Sequence, residues 1–303
     1  MRNATILTLA GPINPRVASI DDPAPGRPRE NFGCHIRARP RVGYVESMGS
    51  AEQLRAQSRH VRPLTIARFG SWRRCPWESA PTLLSSYSED DWVALILDDI
   101  DGRHPGGALD GSDVVPVLDA LATFPQLRES GPTDLPDAAD EIAAEAVGWS
   151  QLQRDGVVGD LPEWVQGSLD RLHAASDVAA PAVEGRYLLH LPCRADNVLI
   201  DRAGAARIVD WPWAAVGARW VDGLTYLLDA RLRGEAIDAE EVLRDHALFA
   251  GVPAQSIDGV LAALTGGFFN RARHPAPQNL PTLRDFERRE AVAGAAWLRE
   301  RWS

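Results

Sequence analysis

His190-Leu191-Pro192-Cys193-Arg194-Ala195-Asp196-Asn197 runs into Val198-Leu199-Ile200, the turn Asp201-Arg202-Ala203-Gly204, then Ala206-Arg207-Ile208-Val209 and Asp210-Trp211. Two short aliphatic runs on either side of a turn that ends in glycine predict a hairpin. Upstream, Arg186-Tyr187-Leu188-Leu189 starts another short strand, so residues 190–197 form a loop between strands. Asn197 stands at the start of the hairpin and Asp210 just past its end. Taken alone, each has a plain reading. Asn197 suits a turn former that caps its own backbone, and Asp210 suits a solvated carboxylate at a strand end.

Together these residues resemble the aminoglycoside phosphotransferase family, whose loop reads H-G-D-L-x-x-x-N and whose strand end reads I-D-W. The match lies at His190, Arg194 to Asn197, Val198 to Ile200 and Val209-Asp210-Trp211. It continues through Pro212 to Gly217 and on to Trp220-Val221-Asp222, where family members carry an Asp opening a buried helix. Upstream, Ala94 to Gly102 looks like the strand and hinge whose backbone holds the adenine ring.

The resemblance spans about residues 87–303. It implies an α+β, protein-kinase-like fold with a mainly helical C-terminal lobe, preceded by a degenerate or unrecognisable N-terminal lobe over residues 1–86. The implied reaction is ATP-dependent O-phosphorylation of a small-molecule hydroxyl, with ATP and Mg²⁺ as cofactors. Such chemistry needs a loop carboxylate as base, an amide oxygen for the metal and a second carboxylate from the next strand end. The resemblance therefore assigns Asn197 and Asp210 to the metal, and Asp98, Asp99 and Ile100 to the nucleotide. His190 and Asp222 support the loop.

The family places its base two residues after the histidine, and there this chain has Pro192. Proline has no carboxylate and no N–H, so it neither orients nor deprotonates a hydroxyl. The family's preceding glycine is Leu191. Asp196 is displaced by four residues from the base position and reads as a solvated loop residue. All 32 basic residues are Arg, so the lysine that pairs with the α- and β-phosphates is absent from this chain. Its nearest look-alike, Tyr44-Val45-Glu46, places a carboxylate there, and an Arg fork is no equivalent of an ammonium. The expected outcome is an impaired phosphotransferase, with nucleotide or partner binding without catalysis, a pseudokinase, as the alternative.

Residues 1–80 hold 13 Arg against 6 acidic residues, whereas residues 81–303 hold 19 against 36. The Arg-rich part is poor in pattern, with short strands expected only around Ala4–Leu9 and Val42–Val45. Its abrupt junction with a good match, like the break at about 191–193, is what out-of-frame translation leaves. A basic arm from Arg27 to Arg41 binding nucleic acid is the weaker reading, and no nucleic-acid partner is expected.

Beyond the junction, Trp92 to Leu97 is a continuous apolar run and reads as a buried strand. Val114, Val117, Leu118 and Leu121 predict a helix behind the capping candidates Asp110 and Ser112. Helices are expected at about 137–153, 162–175 and 280–302, and Ile257, Val260, Leu261, Leu264 and Phe268 form an apolar stripe. Cys34, Cys75 and Cys193 make no paired motif, which argues against a disulfide framework or a zinc site and suits a cytoplasmic protein. The short apolar stretch Ala4 to Ala10 lacks a cleavage pattern, and no run of roughly 18 apolar residues predicts a membrane span. Neither the acceptor nor the oligomeric state is legible in this pattern.

Overall fold

A computed structural model describes residues 4–9, 33–38, 41–47, 78–89, 92–127, 135–211, 213–278 and 280–303. Pro212 of the family match and residues 27–32 and 39–40 of the basic arm lie outside them. The chain divides into two compact units, Met1–Gly102 and Arg103–Ser303.

The first unit is built on one five-stranded sheet of order β2-β3-β1-β5-β4. Its strands are β1 (Ala4–Leu9), β2 (Gly33–Ala38), β3 (Arg41–Ser47), β4 (Leu83–Glu89) and β5 (Trp92–Asp98). β1 runs parallel to β3 and antiparallel to β5, with Ala4 opposite Asp98 and Leu9 opposite Val93. The apolar run at 92–97 is thus an inner strand, paired on both sides. β2 was not expected, since Cys34, His35 and Arg37 break any apolar alternation. The division into compact units falls after β5, because β4 and β5 pair with each other and β5 pairs with β1.

The second unit is mainly helical. It begins beside β6 (Gly102–Arg103), an edge of a three-stranded sheet of order β6-β8-β9 with β8 (Val198–Asp201) and β9 (Ala206–Ile208). β7 (Tyr187–Leu189) pairs antiparallel with β10 (Ala215–Gly217), which the sequence pattern did not predict. The expected hairpin forms with Val198 opposite Ile208.

Helix α1 (Val114–Ala122) buries Val114, Val117, Leu118 and Leu121, the predicted stripe. Its cap differs from expectation: Asp110 accepts from the Ser112 N–H and hydroxyl in a local turn, and Asp113 occupies the cap position. The Asp113 carboxylate is taken by Arg103 and by the Gly106 N–H. Helix α2 (Ala138–Arg154) matches its expected place, with Asp137 capping the Ala139 N–H. The helix expected over 162–175 is instead two, α3 (Glu163–Gly167) and α4 (Leu169–Ser176), broken at Ser168. Then come α5 (Ala179–Ala182), α6 (Trp220–Arg233), α7 (Ala239–Asp245), α8 (Ala254–Ala272) and α9 (Leu283–Arg301).

α8 is buried nearly all round, on Gly259, Ala262, Ala263 and Gly267 as well as on its apolar stripe, and it is Phe269 rather than Phe268 that is fully buried. Small residues allow this close approach. A Cβ on Gly148 of α2 would meet the Gly266 carbonyl oxygen of α8 at 2.3 Å. Beside that contact, the buried Trp149 donates its indole N–H to the Ala262 carbonyl at 2.9 Å.

Candidate functional site

The loop 190–197 lies against one face of α6. Asp222, Thr225 and Asp229 follow one another at helical spacing, and all three are buried in a helix otherwise rich in apolar residues. Asp222 accepts from the His190 N–H at 2.6 Å and from the Leu191 N–H at 2.9 Å. The Thr225 hydroxyl accepts from the Cys193 N–H at 3.1 Å, and Asp229 accepts from the Ala195 N–H at 3.0 Å. Buried N–H groups need such partners, and the helix skips position 192, where proline has no N–H to satisfy. Arg233, one turn beyond Asp229, donates to it at 2.9 Å.

Leu191 has φ +40°, a conformation that suits glycine and costs a leucine roughly 1–2 kcal/mol. The loop backbone at this position is thus one that glycine would adopt without cost, although leucine occupies it. The Leu191–Pro192 peptide is cis.

His190 is buried, and its two ring nitrogens face carbonyl oxygens, Nδ1 at 3.0 Å from Pro192 and Nε2 at 2.9 Å from Val209. The ring lies edge-on to Trp211 with centroids 5.0 Å apart. It thus ties the loop to the end of β9, next to Asp210. Asn197 is tied to the same place, because the Val209 N–H donates to its carbonyl at 2.9 Å.

Asp210 is half-buried and has φ +59°, a left-handed conformation that Asp tolerates better than most residues. Burial pushes its carboxyl up from the ordinary range; Asp196 adds to the rise, while His190 and Arg194 oppose it. Burial likewise raises Asp222, against the opposing pull of His190 and the two N–H donors. Asp196 is exposed and gripped by Arg194 at 2.7 and 3.2 Å. Its carboxyl lies below the usual range: what partial shielding from water it has works to raise it, but the Arg194 pair outweighs that.

The Asn197 carboxamide and the Asp210 carboxylate are hard-oxygen groups of the chemistry Mg²⁺ takes, carried on backbone that the Val209 N–H and the Asn197 carbonyl join. Pro192 is half-buried and contributes no acid or base.

Asp98, Asp99 and Ile100 belong to the first unit and are half-buried. The Asp98 N–H donates to the Thr82 carbonyl at 3.0 Å, and the Asp98 carboxylate accepts from the Thr82 N–H. Both groups of Asp98 thus serve the β4–β5 pairing. Thr225 and Asp229 escaped the sequence reading. Their visible trace is a set of polar residues three, four and seven apart in a stretch, 220–230, whose other positions are largely apolar.

This is the fold of the kinase-like small-molecule phosphotransferases. The AMP-bound complex of spectinomycin phosphotransferase APH(9)-Ia aligns with 90% of this chain and 87% of its own, at 10% identity and a TM-score of 0.52. An aminoglycoside phosphotransferase from Alicyclobacillus acidocaldarius subsp. acidocaldarius DSM 446 covers 96% of this chain and 97% of its own, at 15% identity and a TM-score of 0.49. Choline kinase LicA from Streptococcus pneumoniae covers 88% and 89%, at 12% identity and 0.48. No family model and no curated protein matches the chain. At these identities the likeness is one of fold, and the first of the three carries it.

Proposed function

We propose that this is an aminoglycoside-phosphotransferase-like protein, of a type that phosphorylates a small-molecule hydroxyl with ATP, in which the transfer step is lost. What supports the proposal is the loop 190–197: α6 holds four of its N–H groups, and the position that the resemblance gives to a carboxylate base is Pro192. Asn197 and Asp210 are the residues that would hold Mg²⁺, and the segment Asp98, Asp99 and Ile100 would offer backbone to the adenine. The metal, when bound, neutralises charge on the phosphates. The protein's own part is to hold Asn197 and Asp210 in place through His190 and Asp222.

Asp196 does not replace the base. Its carboxylate is held by Arg194 and is a weaker proton acceptor than a free one, whereas a general base works best with its pKa raised toward neutrality. The lysine-free composition removes the phosphate-pairing ammonium as well. Residues 1–86 fit a degenerate N-terminal lobe, and a cytoplasmic location fits three cysteines without a paired motif. Among the described residues no helix is long and apolar enough to cross a membrane.

A second reading, nucleotide binding without catalysis, is favoured by the loop's bracing. Titration of ATP with and without Mg²⁺, followed by a phosphate-release assay over amino alcohols and aminoglycosides, tests both readings. Binding without release supports the second reading, neither binding nor release leaves only the first, and turnover overturns both.

A further inference from the structure

His104 stands immediately after β6, and its Nδ1 lies 2.9 Å from the Val198 carbonyl oxygen and 3.2 Å from that of Ala195. A nitrogen facing two carbonyl oxygens must carry a proton, since a lone pair there would meet only other lone pairs. The two carbonyls bracket Asp196 and Asn197. Between them the chain makes a single 3-10 turn, Ala195–Asn197, closed by the Asn197 N–H on the Arg194 carbonyl and the Val198 N–H on the Ala195 carbonyl. Ala195 is consequently fixed on both sides of its backbone, its N–H by Asp229 and its C=O by His104.

We infer that His104 is a positioning residue for Asn197: its Nδ1–H clamps the two carbonyls that flank the asparagine and holds the carboxamide at the metal position. This rests on the proposed assignment of Asn197 to Mg²⁺. α6 anchors the loop through its N–H groups, and His104 anchors it through its carbonyls, from a separate segment of chain. An Asn side chain places its amide nitrogen where the imidazole has Nδ1, whereas Gln carries its donor farther out, near the Nε2 position. The pair His104→Asn and His104→Gln therefore separates a positioned donor from mere polarity or bulk.

The test uses the full chain in three measurements. In ¹H–¹⁵N spectra of the histidine side chains, His104 in its neutral form is expected as the Nδ1–H tautomer; an Nε2–H tautomer would overturn the inference. Amide exchange at Asn197 and Val209 is expected to quicken about tenfold in His104→Ala and His104→Gln, the loss of roughly one hydrogen bond. It should stay within about twofold of the parent in His104→Asn, a small fraction of one bond. Equal rates in all four proteins would overturn the inference. In the third, the Mg²⁺-dependent gain in ATP affinity should fall about tenfold in the Ala and Gln variants and survive in Asn; an equal gain in all four proteins overturns the link to the metal. A parent chain without Mg²⁺-dependent ATP binding would refute the assignment of Asn197 to the metal and with it the metal link, while tautomer and exchange rates still decide the clamp.

Discussion

Asp222→Ala should do more damage than any other single change to the loop. The carboxylate is 1% exposed and receives two backbone N–H groups, at 2.6 and 2.9 Å, from residues that are themselves buried. Truncation leaves both donors without a partner, and a buried unsatisfied donor costs about 1–3 kcal/mol. The expected loss is therefore about 4 kcal/mol. Asp222→Asn keeps one accepting oxygen but turns an NH₂ toward the second donor, so about half that loss is expected. For a unit of about 200 residues, roughly 2–4 °C of Tm go with each kcal/mol, placing the alanine variant about 8–16 °C below the parent. Urea unfolding followed by tryptophan fluorescence reads this directly, with an unchanged slope showing that the same transition is compared. Asp196→Ala, which breaks only the exposed pair with Arg194, is the control and should shift stability by no more than about 0.5 kcal/mol. Should Asp222→Ala cost under about 1 kcal/mol, comparable to that control, α6 does not hold the loop as described.

Pro192→Asp alone should not restore phosphotransfer, measured as ATP-dependent phosphorylation of an aminoglycoside panel, because transfer depends on parts acting as a unit and the phosphate-pairing lysine is still missing. Glu290 on α9 has its carboxyl pushed up to about 8, by burial first and then by Asp229 and Glu287, against Arg194 and Arg271. A raised folded-state value means stability that is full below the ordinary 4.5 and lost as pH rises through about 8. Glu290→Gln should thus melt at the parent's temperature near pH 4 and several degrees above it near pH 8–9, a difference on the order of kcal/mol. Gly148→Ala should cost about 1–3 kcal/mol or more in urea unfolding, since its methyl meets helix backbone that yields only by moving α8.

The hairpin and its two polar ends were legible because they are local: a glycine-ended turn between aliphatic runs, with Asn197 and Asp210 at fixed offsets. The inner strand at 92–97 was legible for the same reason. α8 was only half read, because a single stripe describes a helix with one wet face, and here Gly266 and Ala262 are buried too. The break at Ser168 has no counterpart in the apolar spacing, which carries on across it. β10 pairs with β7 through a register that no local pattern encodes, and His104 reaches Ala195 and Val198 across 91 and 94 residues. Contacts of that separation leave no trace in spacing. Asp222 was legible by resemblance, whereas Thr225 and Asp229 needed the further observation that an otherwise apolar helix keeps polar groups along one face.

On the proposed function, the metal-holding part of the site survives while the base does not. Isothermal titration of the full chain with ATP, with and without Mg²⁺, tests it most directly when run beside Asp210→Ala and paired with a phosphate-release assay. The account predicts binding that depends on Mg²⁺, is lost in Asp210→Ala, and is accompanied by no transfer to any hydroxyl acceptor. Phosphorylation of a small molecule by the unmodified chain, abolished by Asp210→Ala, would contradict it, and so would ATP binding indifferent to both Mg²⁺ and Asp210.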